Sequence, residues 1–506
     1  MSAAPQMPVT TTTLGTRLAS IIDGGRVHSD PAALGSYAID EIIPGAIAKP
    51  TNAEEATEIV RFAAAENLAI IPVGSRSKLG IGMPPSRYDI ALDMTALNQI
   101  AHYDPGDLTL SVDAGCTLQT ISAALTPQKQ FLPLPLEYGI SCTVAGTISS
   151  GVDSHLRQFY GTARDFLIGA EFIDGTGARC KSGGRVVKNV TGYDLHKLLI
   201  GSLGTLAIIT RLNFRTFPSL GSSGSQLGGL FASFPDARSA VAFRQKIAGS
   251  VFTPDAIEIL SPELIKIVYD SVLRAAPSVE RDAWRSLEHW RVRVDFHGSE
   301  ELRARYAASL QQLSESAGAL ERSTPPARPR EPGAQTELDD STADIVFTDT
   351  IRHLRSASRV ATIFKIAQLP AKFPDLFAEL ANAAERAGLP NALVARGTGA
   401  VYFALLPRDE SHHLAAAQAS GGLTSQEVTE ALATMNEQNI SHLANAANAI
   451  FAVCAKQDAA ASIQFCPTAL KRKMNVFGPP RRDASSMSRL KSAFDPQDIF
   501  APARLL

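Results

Sequence analysis

Three glycine-rich stretches have the composition to grip an anion: GSRSKLGIG (74–82), PLPLEYGISCTVAGTISSG (133–151) and GGRVVKNVTGYDLHKLLIGSLGTLAIIT (183–210). Successive backbone N–H groups in such turns form a concave nest for negative charge, and glycine lets a ligand approach the backbone closely. Arg76 and Lys78 place cations in the first stretch. One such loop alone reads as a tight turn. Three in one region of about 150 residues point to a long ligand touched at several places. Two familiar phosphate-binding patterns, G-x-x-x-x-G-K-[ST] and a strand–G-x-G-x-x-G–helix unit, are absent, as are H-E-x-x-H and G-x-S-x-G. The histidines are scattered, and the neighbours His412 and His413 would point about 100° apart on a helix, a poor chelate. No metal site is expected.

These loops need a frame. Asn52-Ala53-Glu54-Glu55 is a capping-box pattern opening a helix with Ala56, Ile59, Val60 and Ala63 on one face. A buried strand over 69–73 leads directly into the first loop. Strands follow over 88–93 and 108–112, then a helix over 117–125. Strands over 168–173 and 178–181 flank the turn Asp174-Gly175, and 207–217 closes the region as another strand. SLGSSGSQLGG, from residue 219, reads as a linker. Beyond it, strand-like and helical runs alternate; 323–344 is a polar, proline-rich interruption read as a mobile loop, and 408–450 is alanine-rich and helical.

The whole chain has 506 residues, 45% of them hydrophobic, and a formal net charge of −2. That predicts two or three domains with sizeable cores and argues against nucleic acid as a partner. Five widely spaced cysteines without a C-x-x-C suit reduced thiols and a cytoplasmic setting rather than disulfides or an iron–sulfur site. The first residues lack the basic start and apolar core of a signal peptide, and no apolar run is long enough to span a membrane, so membrane contact is expected only through a partner.

The order PVGSRSKLGIG, LPLPLEYGISCTVAGTISSG, YGTARDFLIGAEFIDGTG and KNVTGYDLHKLLIGSLGTL resembles the FAD-binding domain of the p-cresol methylhydroxylase/vanillyl-alcohol oxidase type. Within that type the chain is most similar to the FAD-binding E subunits of bacterial glycolate dehydrogenases, over roughly 40–218 and 468–506, including LKSAFDPQDIFAPARLL. The resemblance implies an α+β protein with a two-lobed FAD-binding domain at 35–218. A lead-in at 1–34 precedes it; a cap of antiparallel sheet and helices at 219–467 and a returning C-terminal segment at 468–506 follow. It implies FAD, held non-covalently because the first loop has no histidine. The implied FAD contacts are Val73, Gly74, Ser75, Arg76, Ser77, Lys78 and Gly80. The second segment adds Pro135, Thr143, Gly146, Thr147, Ser150, Gly151 and Asp153. Gly161 and Arg164 follow, Arg164 also reading as an ion-pair partner of Asp165, and then Ile208 and Ile209.

Lys188, Asn189 and Tyr193 either face the flavin or substrate, or belong to the cap of a helix starting near Tyr193. Oxidising a 2-hydroxy acid takes a hydride acceptor, a base for the hydroxyl proton and a cation for the carboxylate. Catalytic relatives carry an H-x-G-D-G-N-x-H kind of motif, absent here. Lys188, Tyr193, Arg396 and Lys471 are the weak candidates for such roles, with His155 the histidine to test. The tail reads Phe500-Ala501-Pro502-Ala503-Arg504 where the family has F-N-P-G-R, which puts a side-chain contact and a tight turn in doubt. The reading implied first is an FAD subunit working with a larger flavoprotein and an iron–sulfur subunit. The alternatives are a self-contained FAD-dependent 2-hydroxyacid dehydrogenase and a non-catalytic assembly subunit.

Overall fold

Asn52 starts the helix Ala53–Glu66 by accepting a hydrogen bond from Glu55 N at 2.8 Å, a cap that contributes about 1 kcal/mol. Glu55 does not complete the box on Asn52. It accepts from Thr51 N and from Arg26 instead, and the Arg26 bond is the main cause that draws its carboxyl down to about 2. The buried face is Ala56, Ile59, Val60 and Ala63, as the spacing predicts. Beneath it the strands Ala46–Ala48, Ile90–Asp93 and Ile70–Val73 run parallel, with Val27–His28 antiparallel at one edge. Ile47, Ile70, Ile71, Ile90, Ala91 and Leu92 are all buried, the near-continuous apolar signature of a sheet covered on both faces.

The structure is a computed structural model that describes residues 11–136, 138–185, 192–219, 226–275, 287–323, 350–358, 360–407, 425–480 and 483–505. The chain divides into two compact units: Met1–Val152 with Thr162–Pro218 and Pro480–Leu506, and Asp153–Gly161 with Ser219–Pro479. The architecture is α+β in both. The insertion expected over 323–344 lies outside the described residues apart from Ser323.

The first unit adds a five-stranded antiparallel sheet in the order Ile100–Asp104, Thr109–Asp113, Ile208–Arg215, Leu167–Ile173, Arg179–Gly183. Its C-terminal segment closes the free edge of the parallel sheet. Ile70 N donates to Ile499 O at 2.7 Å and Ala501 N to Ile70 O at 2.9 Å, so an otherwise open strand edge is paired. Lys491, on the helix Ala484–Phe494, fixes this tail. Its ammonium reaches Asp495 at 2.5 Å, Asp498 at 3.0 Å, and the carbonyls of Thr205 and Phe500 at 2.9 and 2.8 Å.

The second unit is an eight-stranded antiparallel sheet with helices. Along the strand Trp290–Gly298, Val292, Val294 and Phe296 alternate with Arg291, Arg293, Asp295 and His297. The apolar set turns to the helices, where Phe296 meets Tyr306 of Glu300–Ser316 at 5.6 Å between ring centroids. The polar set forms the other face, and residues 153–161 lie against it: Phe159 meets His297 edge-on at 5.3 Å, and Asp153 reaches Lys365 at 2.8 Å. That docking puts 153–161 in this unit. Residues 468–479, expected with the C-terminal return, also belong here. Ile463 of the edge strand donates to Val476 O at 2.6 Å, and Gly478 packs on Phe451.

Candidate functional site

The loop after Ile70–Val73 leaves the C-terminal end of a parallel strand, where open sheets present backbone to ligands. It borders a cleft within the first unit that opens to solvent and is lined by Ile71, Met94, Ala207 and Ile209. The amides of Ser75, Arg76 and Ser77 donate to no acceptor among the described residues. Arg76 has a left-handed backbone, φ 64°, the conformation that turns successive amides to one side. Its side chain is turned outward, stacked over Tyr37 at 4.6 Å and donating to Ser36 at 3.2 Å, so the residue offers its amide to the cleft rather than its charge. Lys78 holds Ser77 and Cys142 at 3.2 Å each and lies over the Tyr138 ring.

Opposite the loop stands the short helix Val144–Ser150. Gly74 has no room for a side chain: a Cβ there would sit 2.0 Å from Thr143 Oγ1. Gly146, Ser149 and Ser150 continue this wall. The stretch 201–204 backs it, with Gly201 N donating to Ile148 O at 3.0 Å and Leu203 N to Ser149 O at 2.8 Å. A Cβ on Gly151 would come 2.9 Å from Gly201 Cα. The glycines at these two positions therefore serve contact between backbones, which puts Leu203 and Gly204 in the cleft lining.

The third wall comes from the end of the chain. Arg504 lines the cleft while only 3% exposed. Its Nη2 donates to Leu79 O at 2.7 Å and to Ile81 O, while Nε and Nη1 have no partner among the described residues. Burial pushes the guanidinium down to about 10 against the opposing pull of the Asp40 carboxylate. The segment that delivers it is strained. Ala501 and Ala503 stand where the family tail has Asn and Gly, and both have left-handed backbones, φ 42° and 63°, at a cost of about 1–2 kcal/mol each.

Of the contacts expected from the sequence, Val73, Gly74, Ser75, Arg76, Ser77, Lys78, Thr143, Gly146, Ser150 and Ile209 line this cleft together. Gly80, Pro135, Thr147, Gly151, Arg164 and Ile208 are not in its lining. Thr147 is buried with its hydroxyl on Thr143 O, and Ile208 faces the core. Arg164 reaches Lys197 O at 3.4 Å and is not the partner of Asp165, which instead closes a capping box with Thr162. Asp153 and Gly161 fall in the second unit, where Asp153 pairs with Lys365 at 2.8 Å and with Arg157 at 3.0 Å.

Among the catalytic candidates, Lys188 lies outside the described residues, as does Asn189. Tyr193 is 90% exposed, and the helix expected after it is a 3₁₀ turn, Leu195–Leu198, in which Asp194 makes no side-chain cap. Lys471 is buried in the second unit. Arg396 is buried against Glu258, which Arg293 also approaches at 3.9 Å, and Arg293 reaches Asp295 at 2.8 Å. These arginines and carboxylates form one ion-pair cluster on the polar sheet face. Beside them, Arg157 and Lys365 both reach Asp153. The sequence reading missed His297, whose Nδ1 lies 2.6 Å from Oδ1 of the fully buried Asp255. A carboxylate at one ring nitrogen fixes the imidazole and leaves the other nitrogen to take a proton. No group of histidine, cysteine or carboxylate side chains suited to a metal occurs among the described residues.

Residues 44–183 match the family described as FAD binding domain. The glycolate oxidase subunit GlcE of Escherichia coli (strain K12) is 36% identical over 162 residues, which is 32% of this chain and 46% of that one. D-2-hydroxyglutarate dehydrogenase of Xanthomonas citri pv. viticola is 31% identical over 195 residues, 38% of this chain and 41% of that one. The chain spans less than half the length of these curated relatives. Among solved structures, p-cresol methylhydroxylase with substrate bound matches with a TM-score of 0.69 at 15% identity, covering 97% of this chain and 96% of that one. Residues 44–183 thus match an FAD-binding domain, and the chain has the p-cresol methylhydroxylase fold. The cleft fits that cofactor: it pairs unspent amides with a buried guanidinium whose Nε and Nη1 donors are unmatched among the described residues, and it forbids a side chain at Gly74.

Proposed function

We propose that this chain is the FAD-bearing subunit of a 2-hydroxyacid dehydrogenase of the glycolate oxidase kind, passing electrons to a partner. The observation that carries the reading is the cleft, lined both by Ser75, Arg76 and Ser77, whose amides have no acceptor among the described residues, and by Arg504, whose Nε and Nη1 are unpartnered there. The likeness to GlcE and to a D-2-hydroxyglutarate dehydrogenase supports a small 2-hydroxy acid as substrate. FAD, when bound, supplies the hydride acceptor. The loop amides and Thr143 hold its anionic middle, and the apolar lining of Ile71, Ala207 and Ile209 keeps water from it. On this reading the other members of the complex are a larger flavoprotein and an iron–sulfur subunit. Any membrane contact is made through them; no described helix is long and apolar enough to cross a bilayer.

A second reading, a self-contained dehydrogenase, draws on the polar sheet face of the second unit. There His297, fixed by Asp255, supplies a proton acceptor, and the cations Arg157 and Lys365 supply a positive neighbourhood for a carboxylate. The ion-pair cluster around Glu258 weighs against Arg396 in that role. An anaerobic visible spectrum of the chain alone, before and after glycolate, D-lactate or D-2-hydroxyglutarate, separates the two. Flavin bands that persist alone and bleach once partner subunits are added support the subunit. Bands that bleach in the isolated chain establish the second reading.

A further inference from the structure

A buried cation whose N–H donors are unmatched is costly, and it persists where something else supplies the acceptor. Arg504 is in that position. A guanidinium has five N–H donors. Nη2 is committed to the carbonyls of Leu79 and Ile81, which leaves the donors of Nε and Nη1 without a partner among the described residues. The chain goes to some length to place it. The tail pairs with the edge strand at Ile70, Lys491 fastens it at four oxygens, and Ala501 and Ala503 accept left-handed backbones. A Cβ on Gly82 would meet Arg504 O at 2.8 Å, and Met83 N donates to that oxygen at 2.9 Å, so the loop is shaped around the tail. Packing alone does not call for a charged residue here. The cleft it lines is the one that presents the unspent amides of Ser75, Arg76 and Ser77.

We infer that Arg504 is a ligand of the cofactor's diphosphate, completing from the C-terminus the anion site begun by the 74–78 loop. This rests on the FAD reading above. The tail is then part of the binding site: its guanidinium braces the loop with Nη2 and meets the anion with Nε and Nη1, in the planar fork that suits a phosphate. Bound anion also removes the cost of the buried charge, so the tail and the cofactor stabilise one another.

The test titrates apo-protein with FAD by flavin fluorescence for the wild type, Arg504→Gln and Arg504→Lys, and follows amide hydrogen exchange at Ala501, whose N–H is held by Ile70 O. The expected result is an affinity loss of about tenfold to a hundredfold for Arg504→Gln, a smaller loss for Arg504→Lys, and protection at Ala501 retained in both. Equal affinity in Arg504→Gln overturns the inference. So does a loss that merely accompanies loss of protection at Ala501, because Arg504 would then be a brace only. A wild type that takes up no FAD defeats the cofactor reading itself, a result distinct from either.

Discussion

Gly74→Ala tests the cleft most sharply. The added Cβ would lie 2.0 Å from Thr143 Oγ1 and 3.1 Å from both Cβ and Cγ2 of Thr143. Roughly 1 Å must open before the contact is tolerable, and overpacking of this kind costs about 1–3 kcal/mol. Relief requires that either the loop or Thr143 move, and both line the cleft. The variant should lose about that much stability in chemical denaturation, and its FAD affinity should fall at least tenfold. Thr143→Ala removes the nearest atom, so the double variant should recover most of the stability, giving a coupling of about 1 kcal/mol or more in a double-mutant cycle. If Gly74→Ala melts like the wild type and binds FAD as tightly, the loop does not approach this wall as described.

Two further outcomes follow from the tail and the polar face. Ala503→Gly should raise stability by up to about 1 kcal/mol, because glycine relieves the left-handed backbone at φ 63°. A lowered denaturation midpoint would mean that the lost chain entropy outweighs that strain. His297→Gln should cut turnover with little change in KM if the Asp255-held imidazole takes the substrate's proton. Unchanged turnover in the assembled enzyme would move that proton to a partner subunit.

What could be read from the sequence was local. The helix after Asn52, the buried strand at 70–73 and the loop that follows it are encoded within a few residues by a cap, an apolar run and three glycines. That is why Val73 to Lys78 stand together at one cleft. The place of Arg504 in the cleft is not legible in the sequence, since it meets its loop partners across more than 400 residues. Asp153 looked like a continuation of the glycine-rich second segment, but the chain leaves the first unit immediately after Val152, and its charge is consumed by Lys365. The pairing of Arg396 with Glu258 and of His297 with Asp255 depends on strand register, which residue types alone do not specify. The left-handed alanines at 501 and 503 show the reverse case. The departure from F-N-P-G-R was visible, yet the chain keeps the backbone conformation and bears the strain.

The most direct test of the central claim is the flavin content of the chain purified alone and supplied with FAD. The account predicts an equimolar complex with flavin absorbance whose FAD is released entirely into solution on denaturation. A chain that folds yet retains no FAD under saturating conditions would contradict it, leaving the fold without the cofactor on which the proposed function depends.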